Sequence, residues 1–454
     1  MPCDSEAVRI SCKPNRPAEA ASPEESNVPE IALFSAIRYD LRRVGGDLSA
    51  VLAPPYDVLE EADKKALLAR SDHNIVAIDL PHLPPKSAGP AEVYERAART
   101  MRDWIRDGTL VRDPASALYV YHQKFEHDGK QYTRRMFIAR VRLEPFSEGS
   151  ILPHERTFGG PKEDRLALMK ATRCNLSAIF GLYCDPQDEI GSLFAETAAK
   201  RADAVGTLDG VESRIWVVTD RKVVQSVVAA MENRKVYIAD GHHRYGTALM
   251  YRDWLREQRG GKLSDDHAAN YVMFVLASMD DPGCLILPYY RVLERIDAEA
   301  LAVAWSSGVA KIGKKSPSPS QGEGRGEGRG ADVVLWDGRS EKETPLKFTD
   351  RAKLATLEPN ESPAWHQLDY AYLHRYLIDE LLTRKLGAAP TVHYVKSLDE
   401  AKQTARQFAG VALLVNATPM AHLCSVAESG GLMPQKSTYF HPKLATGLAI
   451  NPLE

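Results

Sequence analysis

A strand-to-helix turn at residues 237–248, YIADGHHRYGTA, limits the local fold of this chain more than any other stretch. The apolar residues that precede it are typical of a short buried strand, and Ala248, Tyr251 and Leu255 recur at helical spacing after it. The first N–H groups of such a helix lack partners, and its dipole adds positive potential. The turn at residues 240–244 therefore favours an anion, most simply a polyphosphate.

The side chains of this turn leave more than one interpretation open. Gly241 permits a tight turn, and Arg244 offers donors suited to phosphate, while Asp240 could hold a divalent cation or orient a histidine. A metal site built from Asp240, His242 and His243 is disfavoured because adjacent histidines cannot easily share one ion. Alternatively, Asp240 simply caps the helix and both histidines are ordinary polar residues.

Composition excludes several classes of protein. The 454 residues are 44% hydrophobic and 26% charged, which indicates a globular protein of two or three domains. A net charge of -3 disfavours nucleic acid as a partner, and no apolar run is long enough to span a membrane. Six scattered cysteines suit reduced thiols, and the first 30 residues lack the apolar core of a secretory signal. We expect a cytoplasmic enzyme.

Alternating helical and strand patterns predict a mixed α/β fold. Residues 94–105 have helical spacing before Gly108, and an Asp-Gly step between ALYVYHQKF and RRMFIARVRL predicts a hairpin. A long helix is expected over residues 368–386, ending before Gly387. The predicted organisation is a disordered tail (1–30), an N-terminal α/β region (31–150), a core that carries the motifs (151–313), a low-complexity insertion (314–330) and a C-terminal α/β region (331–454).

Two further polar segments contain side chains suited to catalysis. In ILPHERTF, Glu155 lies beside His154 and is a candidate general base, although Glu155 and Arg156 would equally form a surface ion pair. Near the C-terminus, PQKST offers one cation and two hydroxyls, which suit contact with phosphate. An ordinary polar loop is the alternative for that segment.

Six motifs resemble a known family in sequence and in order. PPYDV, ILPHERTF, EDRL, ADGHHRY, LILPYYRV and PQKSTYFHPK resemble the motifs of the domain of unknown function 1015 family, from Ile31 to the C-terminus without the insertion. Membership in that family would not by itself imply an activity.

A more distant resemblance implies one. DGHHR at a strand-to-helix turn is similar to the signature of the ParB-like and sulfiredoxin superfamily, which implies a ParB/sulfiredoxin-like core. The archaeal free-serine kinase of that superfamily, which uses ADP, resembles this chain at PHE, at DGHHR and at the lysine-hydroxyl segment. The resemblance implies that Glu155 is the base that activates the substrate hydroxyl and that residues 240–244 hold the phosphates, with Lys436, Ser437 and Thr438 lining the same site. We therefore predict a catalytic group of Glu155, His154 and Asp240 and a phosphate site formed by Gly241, His242, His243, Arg244, Lys436, Ser437 and Thr438. The predicted cofactors are ATP or ADP and Mg²⁺, with Asp240 as the metal ligand.

Three functions follow as alternatives. We expect a nucleotide-dependent kinase that phosphorylates the hydroxyl of a small metabolite. The first candidate substrate is free serine or a related hydroxy acid. A ParB-like nucleotide switch or NTPase would use the same phosphate site without needing Glu155. A metal-dependent hydrolase would use His154, Glu155, Asp240 and His242. Sulfinic acid reduction is disfavoured because His242 stands where sulfiredoxin has its cysteine. We see no basic helix-turn-helix segment for DNA.

Overall fold

The computed structural model describes residues 29–85, 87–146, 149–157, 159–312 and 330–454. Residues 1–28 of the predicted tail and residues 314–329 of the predicted insertion lie outside the described residues.

The described chain alternates helices and strands. The α-helices are α1 Glu61–Arg70, α2 Val76–Asp79, α3 Ala91–Arg106, α4 Gly159–Thr172, α5 Glu189–Leu193, α6 Ala195–Ala198, α7 Arg221–Met231, α8 His242–Gln258, α9 Ala298–Ala304, α10 Ala352–Leu357, α11 Pro363–His366, α12 Asp369–Ala371, α13 Thr383–Leu386, α14 Leu398–Gln407 and α15 Met420–Glu428. Shorter 3-10 helices span Leu41–Arg43, Tyr56–Val58 and Ala268–Asn270, and a π-helix spans Tyr372–Leu382.

The strands are β1 Ile31–Ala32, β2 Ile37–Tyr39, β3 Leu110–Arg112, β4 Leu118–His127, β5 Lys130–Arg142, β6 Ile151–Leu152, β7 Cys174–Asn175, β8 Ile179–Tyr183, β9 Ala204–Leu208, β10 Val211–Val218, β11 Val236–Asp240, β12 Tyr271–Ser278, β13 Leu285–Leu287, β14 Tyr290–Leu293, β15 Val309–Lys311, β16 Val333–Asp337, β17 Glu343–Phe348, β18 Val392–Val395, β19 Val411–Val415, β20 Tyr439–His441 and β21 Asn451–Pro452. This succession confirms the mixed α/β class.

Local sequence signals place several elements correctly. The hairpin of β4 and β5 turns at Asp128 and Gly129, both in the left-handed region, because such a two-residue turn matches the twist of the strands. Helix α3 buries Tyr94, Ala97 and Met101 along one face, as the helical spacing predicts. The long helical segment of α12, the π-helix and α13 ends before Gly387, which has a φ of 76°.

A large mixed sheet holds the segments that form the candidate site. Its path is β6-β11-β8-β12-β5-β4-β10-β9, with β1 also paired to β5. Strands β4 and β5 come from the region before residue 150, and β6, β8, β11 and β12 follow it. One hydrogen-bonded sheet therefore runs across the expected boundary at residue 150.

A second sheet has the order β15-β17-β16-β19-β14-β18, and its described pairs are antiparallel. Here β14 and β15 join strands from the C-terminal region, so the expected division at the insertion also separates strands of one sheet. The C-terminal residues form two further short antiparallel pairs, β20 with β13 and β21 with β7.

One hydrophobic core contains residues from both sheets. Tyr121 and Ile138 of the first sheet belong to the same buried cluster as Val292 and Leu413 of the second. Burial of this apolar surface is the main favourable contribution to folding. Among the described residues, every helix is too short or too polar to cross a bilayer.

Candidate functional site

Strand pairing brings the three predicted motif segments together. Strand β6 lies parallel to β11, with Ile151 opposite Val236, so the residues that follow β6 lie beside the end of β11. The backbone N–H of Met433 donates to the carbonyl of His154 at 2.8 Å, which attaches the C-terminal loop to the same place. Residues about 280 positions apart therefore meet, as in the 3.1 Å contact of His154 Nε2 with Thr438 Oγ1.

Gly241 is the N-cap of α8, and its φ of 99° lies in the left-handed region. A Cβ atom at this position would lie 3.1 Å from Arg244 Nε and 3.3 Å from Ile179 Cα. Glycine is thus needed both for the backbone angle and for the close approach of the guanidinium. No side chain caps this helix start, so the alternative in which Asp240 caps the helix is wrong.

Asp240 instead forms ion pairs with two cations. Lys443 Nζ donates to Asp240 Oδ2 at 2.9 Å, and Arg244 Nη2 lies 3.6 Å from the same oxygen. Burial opposes ionisation of Asp240, but Lys443 and Arg244 outweigh it and hold the pKa of this carboxyl below its ordinary value. Lys443 has a raised pKa because its attraction to Asp240 exceeds the effect of burial. The end of β11 therefore carries a fixed, fully charged cluster.

Two donor groups of the Arg244 guanidinium make no hydrogen bond with the described residues. One of its Nη groups donates to the carbonyl of Ala178, whereas its buried Nε and Nη2 have no hydrogen-bond partner among the described residues. Its side chain is only 9% exposed, so these donors are largely shielded from water. A buried donor without a partner is unfavourable, and an anion at the turn would satisfy it. The turn therefore fits a phosphate group.

Glu155 lines the same cavity as the DGHHR turn. Burial raises the pKa of its carboxyl, which Lys436 and Lys443 partly oppose and the nearby Asp240 and Asp57 reinforce. A carboxyl with a raised pKa holds a proton more readily than an exposed one, as a general base requires. The expected alternative, a surface pair of Glu155 with Arg156, is absent among the described ion pairs.

The histidines are neutral and mostly bonded within the protein. The N–H of His154 donates to His242 Nε2 at 3.1 Å, which leaves the proton of a neutral His242 on its Nδ1. Burial lowers the pKa of His154 to about 4 and that of His242 far below its ordinary value. His154 is fully buried and does not line the cavity, whereas His242 and His243 do. His154 therefore positions Thr438 and cannot touch a ligand in the cavity.

Two of the three residues predicted in the C-terminal loop line the cavity. Lys436 and Thr438 line the cavity. Ser437 is fully buried and absent from the lining, and its hydroxyl donates to the carbonyl of Pro434 at 2.5 Å. Its side chain therefore does not face the cavity in which a contact with phosphate was expected, because its hydroxyl is bonded within the loop. Arg291 donates to the Lys436 carbonyl at 2.9 Å and holds the loop in place.

The cavity between these segments measures about 750 Å³, a size typical of small-molecule sites. Sequence reasoning missed several of its residues: Tyr56, Asp57, Tyr289, Tyr394, Lys396 and Lys443. Asp57 and Lys443 stand within PPYDV and FHPK, motifs that were recognised without a role for these residues. Tyr394 and Lys396 had no signal in the sequence, because only the pairing of β18 with β14 brings them here.

A protein-bound metal does not fit the described residues. They contain no group of three or more histidine, cysteine, aspartate or glutamate side chains placed to hold an ion. Asp240, the expected magnesium ligand, directs Oδ2 to Lys443. His154 and His242, expected in a metal-dependent hydrolase, each use Nε2 in a hydrogen bond within the protein.

Comparisons with solved structures give distant similarities. A free serine kinase variant in complex with ADP is 12% identical over 66% of this chain and 89% of its own, with a TM-score of 0.32. SbnI from Staphylococcus aureus is 10% identical over 70% and 87% of the two chains, with a TM-score of 0.33. A conserved hypothetical protein from Pyrococcus furiosus is 13% identical over 65% and 90%, with a TM-score of 0.31.

A comparison with curated proteins gives no match. The family model described as a protein of unknown function, DUF1015, matches residues 31–371. This range contains the PPYDV, PHE and DGHHR segments and most of both sheets. The chain belongs to the DUF1015 family.

Proposed function

We propose that this protein is a nucleotide-dependent kinase that phosphorylates the hydroxyl of a small metabolite, with free serine or a related hydroxy acid as the first candidate. The observation that carries the proposal is the meeting of two kinds of group in one cavity. Glu155 is a carboxyl with a raised pKa, and it faces the same space as the unsatisfied Arg244 and the lysines 436 and 443.

Phosphoryl transfer mainly requires positioning and neutralisation of charge. In our proposal, the helix start at Gly241 and the free donors of Arg244 bind the nucleotide phosphates, and Lys436 and Lys443 balance their charge. The acceptor hydroxyl oxygen forms a bond to the terminal phosphorus while the bond from that phosphorus to the bridging oxygen breaks. The electron pair stays on the leaving nucleotide, whose added charge these cations stabilise.

Glu155 takes the proton that the acceptor hydroxyl loses. Its raised pKa keeps the carboxyl a better proton acceptor than an exposed glutamate. Asp240 cannot serve equally well, because its ion pair with Lys443 lowers its pKa. The two carboxyls thus differ in role: Glu155 moves a proton, and Asp240 fixes the position of Lys443 and Arg244.

The test is turnover of ATP and of ADP by the full chain in the presence of serine and a panel of hydroxy acids, followed by detection of the phosphorylated acceptor. We expect nucleotide consumption that depends on one acceptor and yields its phosphate ester. Nucleotide hydrolysis that is independent of every acceptor, and unchanged in Glu155→Gln, would instead support the nucleotide switch.

A further inference from the structure

The DGHHR turn, residues 240–244, which we call the phosphate turn, forms one part of the cavity, and an aromatic side chain of the second sheet forms another. Tyr394 of the edge strand β18 lines the cavity and remains 39% exposed, one of few large hydrophobic side chains so exposed in the described chain. Cross-strand pairing sets Tyr394 opposite Arg291 of β14, on the same face of the sheet. The cavity therefore has a partly exposed aromatic ring at the end formed by the second sheet.

Buried groups hold this ring in place. The guanidinium of Arg291 lies 5.3 Å from the centre of the Tyr394 ring, and the His374 ring is stacked with it at 6.1 Å and 12°. Arg291 is itself fully buried and donates to His374 at 2.9 Å and to the Lys436 carbonyl. The same arginine therefore supports both the ring and the C-terminal loop, so Tyr394 has a fixed position relative to Lys436.

A row of lysines connects the ring to the phosphate turn. Lys396, two residues beyond Tyr394, lies 5.5 Å from the centre of the Tyr439 ring, and Lys443 lies 5.3 Å from the centre of the same ring. Lys443 in turn binds Asp240 beside Arg244. Lys396, Lys436 and Lys443 all line this one cavity. The phosphates of a ligand bound at the turn would therefore extend along these lysines toward Tyr394.

We propose that Tyr394 is the platform on which the base of the nucleotide stacks, with Lys396 beside the inner phosphates and Arg244 at the phosphates near Glu155. The inference rests on the proposed function, since it gives that nucleotide its orientation. A supported ring with free surface suits the flat face of a base, and stacking of this kind is tolerant of base identity.

Binding of ADP and of inorganic pyrophosphate to the full chain, measured by calorimetry, tests the platform. Stacking of a base on an aromatic ring predicts that Tyr394→Ala weakens ADP binding roughly tenfold and changes pyrophosphate binding less than about twofold. Tyr394→Phe, which keeps the ring, should bind ADP like the original protein. Arg244→Lys should weaken both ligands, because both contact the turn.

Equal ADP affinity in Tyr394→Ala and the original protein would overturn the platform and leave the proposed kinase intact. Parallel loss of ADP and pyrophosphate in Tyr394→Ala, with an unchanged thermal unfolding temperature, would also overturn it, because Tyr394 would then act on the phosphates. Absence of ADP and ATP binding to the original protein would overturn the proposed function and the platform with it.

Discussion

Lys443 Nζ and Asp240 Oδ2 form a 2.9 Å charged hydrogen bond between residues 203 positions apart. Asp240 ends β11 of the large sheet, whereas Lys443 follows β20 in the C-terminal segment. The two side chains are 21% and 18% exposed, so water screens their attraction only in part. This pair joins the DGHHR turn to the loop that carries Lys436 and Thr438.

The pair should contribute to stability as well as to the site. We expect Asp240→Asn to lower the free energy of unfolding by about 1–3 kcal/mol, less than for a fully buried pair because both side chains keep some contact with water. Denaturant unfolding of Asp240→Asn, Lys443→Met and the double variant would measure their coupling. Glu95→Gln, which removes a surface pair with Arg99 at 3.9 Å, is the control and should change stability by less than about 0.5 kcal/mol.

The same pair predicts a dependence on pH. Because the pKa of Asp240 is lower in the folded protein than in the unfolded chain, its stabilisation is present above the unfolded pKa and is lost as pH falls through the folded one. The stability difference between the original protein and Asp240→Asn should thus shrink as the medium becomes acidic. A difference that is constant from neutral to strongly acidic pH would contradict the ion pair.

Substitution of Glu155 should remove catalysis and spare binding. Loss of a general base typically lowers the rate roughly 10²–10⁴-fold, and we expect Glu155→Gln to lower acceptor phosphorylation by that amount. Nucleotide affinity should change little, because Glu155 is not a cation of the phosphate site. Glu61→Gln, an exposed glutamate at the rim of the same cavity, is the matched control. Equal rates in Glu155→Gln and Glu61→Gln would exclude Glu155 as the base.

A comparison of alanine variants at Gly241 and Gly210 can separate the effect of backbone strain from an effect on phosphate binding. Both have left-handed backbones, with φ of 99° and 79°, but a Cβ at Gly210 meets nothing within 4 Å. Substitution by alanine should destabilise the protein by about 1–2 kcal/mol at either position. Only Gly241→Ala should displace the Arg244 guanidinium and weaken pyrophosphate binding, by roughly tenfold. Equal pyrophosphate affinity in the two alanine variants would argue against Arg244 as the phosphate ligand.

His154 should destabilise the protein in mild acid. Burial lowers its pKa to about 4, so between pH 4 and its unfolded value near 6.5 the unfolded chain binds a proton that the folded protein does not. Stability attributable to His154 should therefore fall as pH falls through that window, by about 1.4 kcal/mol per pH unit at most. Thermal unfolding of His154→Gln should show a shallower loss between pH 6.5 and 4, and an identical slope would contradict the prediction.

The sequence by itself determined the elements whose signals are local. The hairpin at Asp128 and Gly129, the amphipathic helix α3 and the strand-to-helix turn at Gly241 follow from turn chemistry and spacing within a few residues. The same local reasoning predicted an anion at the turn, where Arg244 Nε and Nη2 have no hydrogen-bond partner among the described residues. It also identified Glu155, Lys436 and Thr438, which line the cavity beside the turn.

Only the tertiary structure decided which way side chains point and which distant residues meet. Ser437 and His154 belong to motifs that the sequence identified, yet they bond to Pro434 and Thr438 and neither lines the cavity. Lys443 reaches Asp240, and Tyr394 reaches the cavity, because long-range strand pairs place β20 and β18 there. Sequence periodicity specifies which face of an element is buried but not the partner that covers it. That choice depends on contacts between residues hundreds of positions apart.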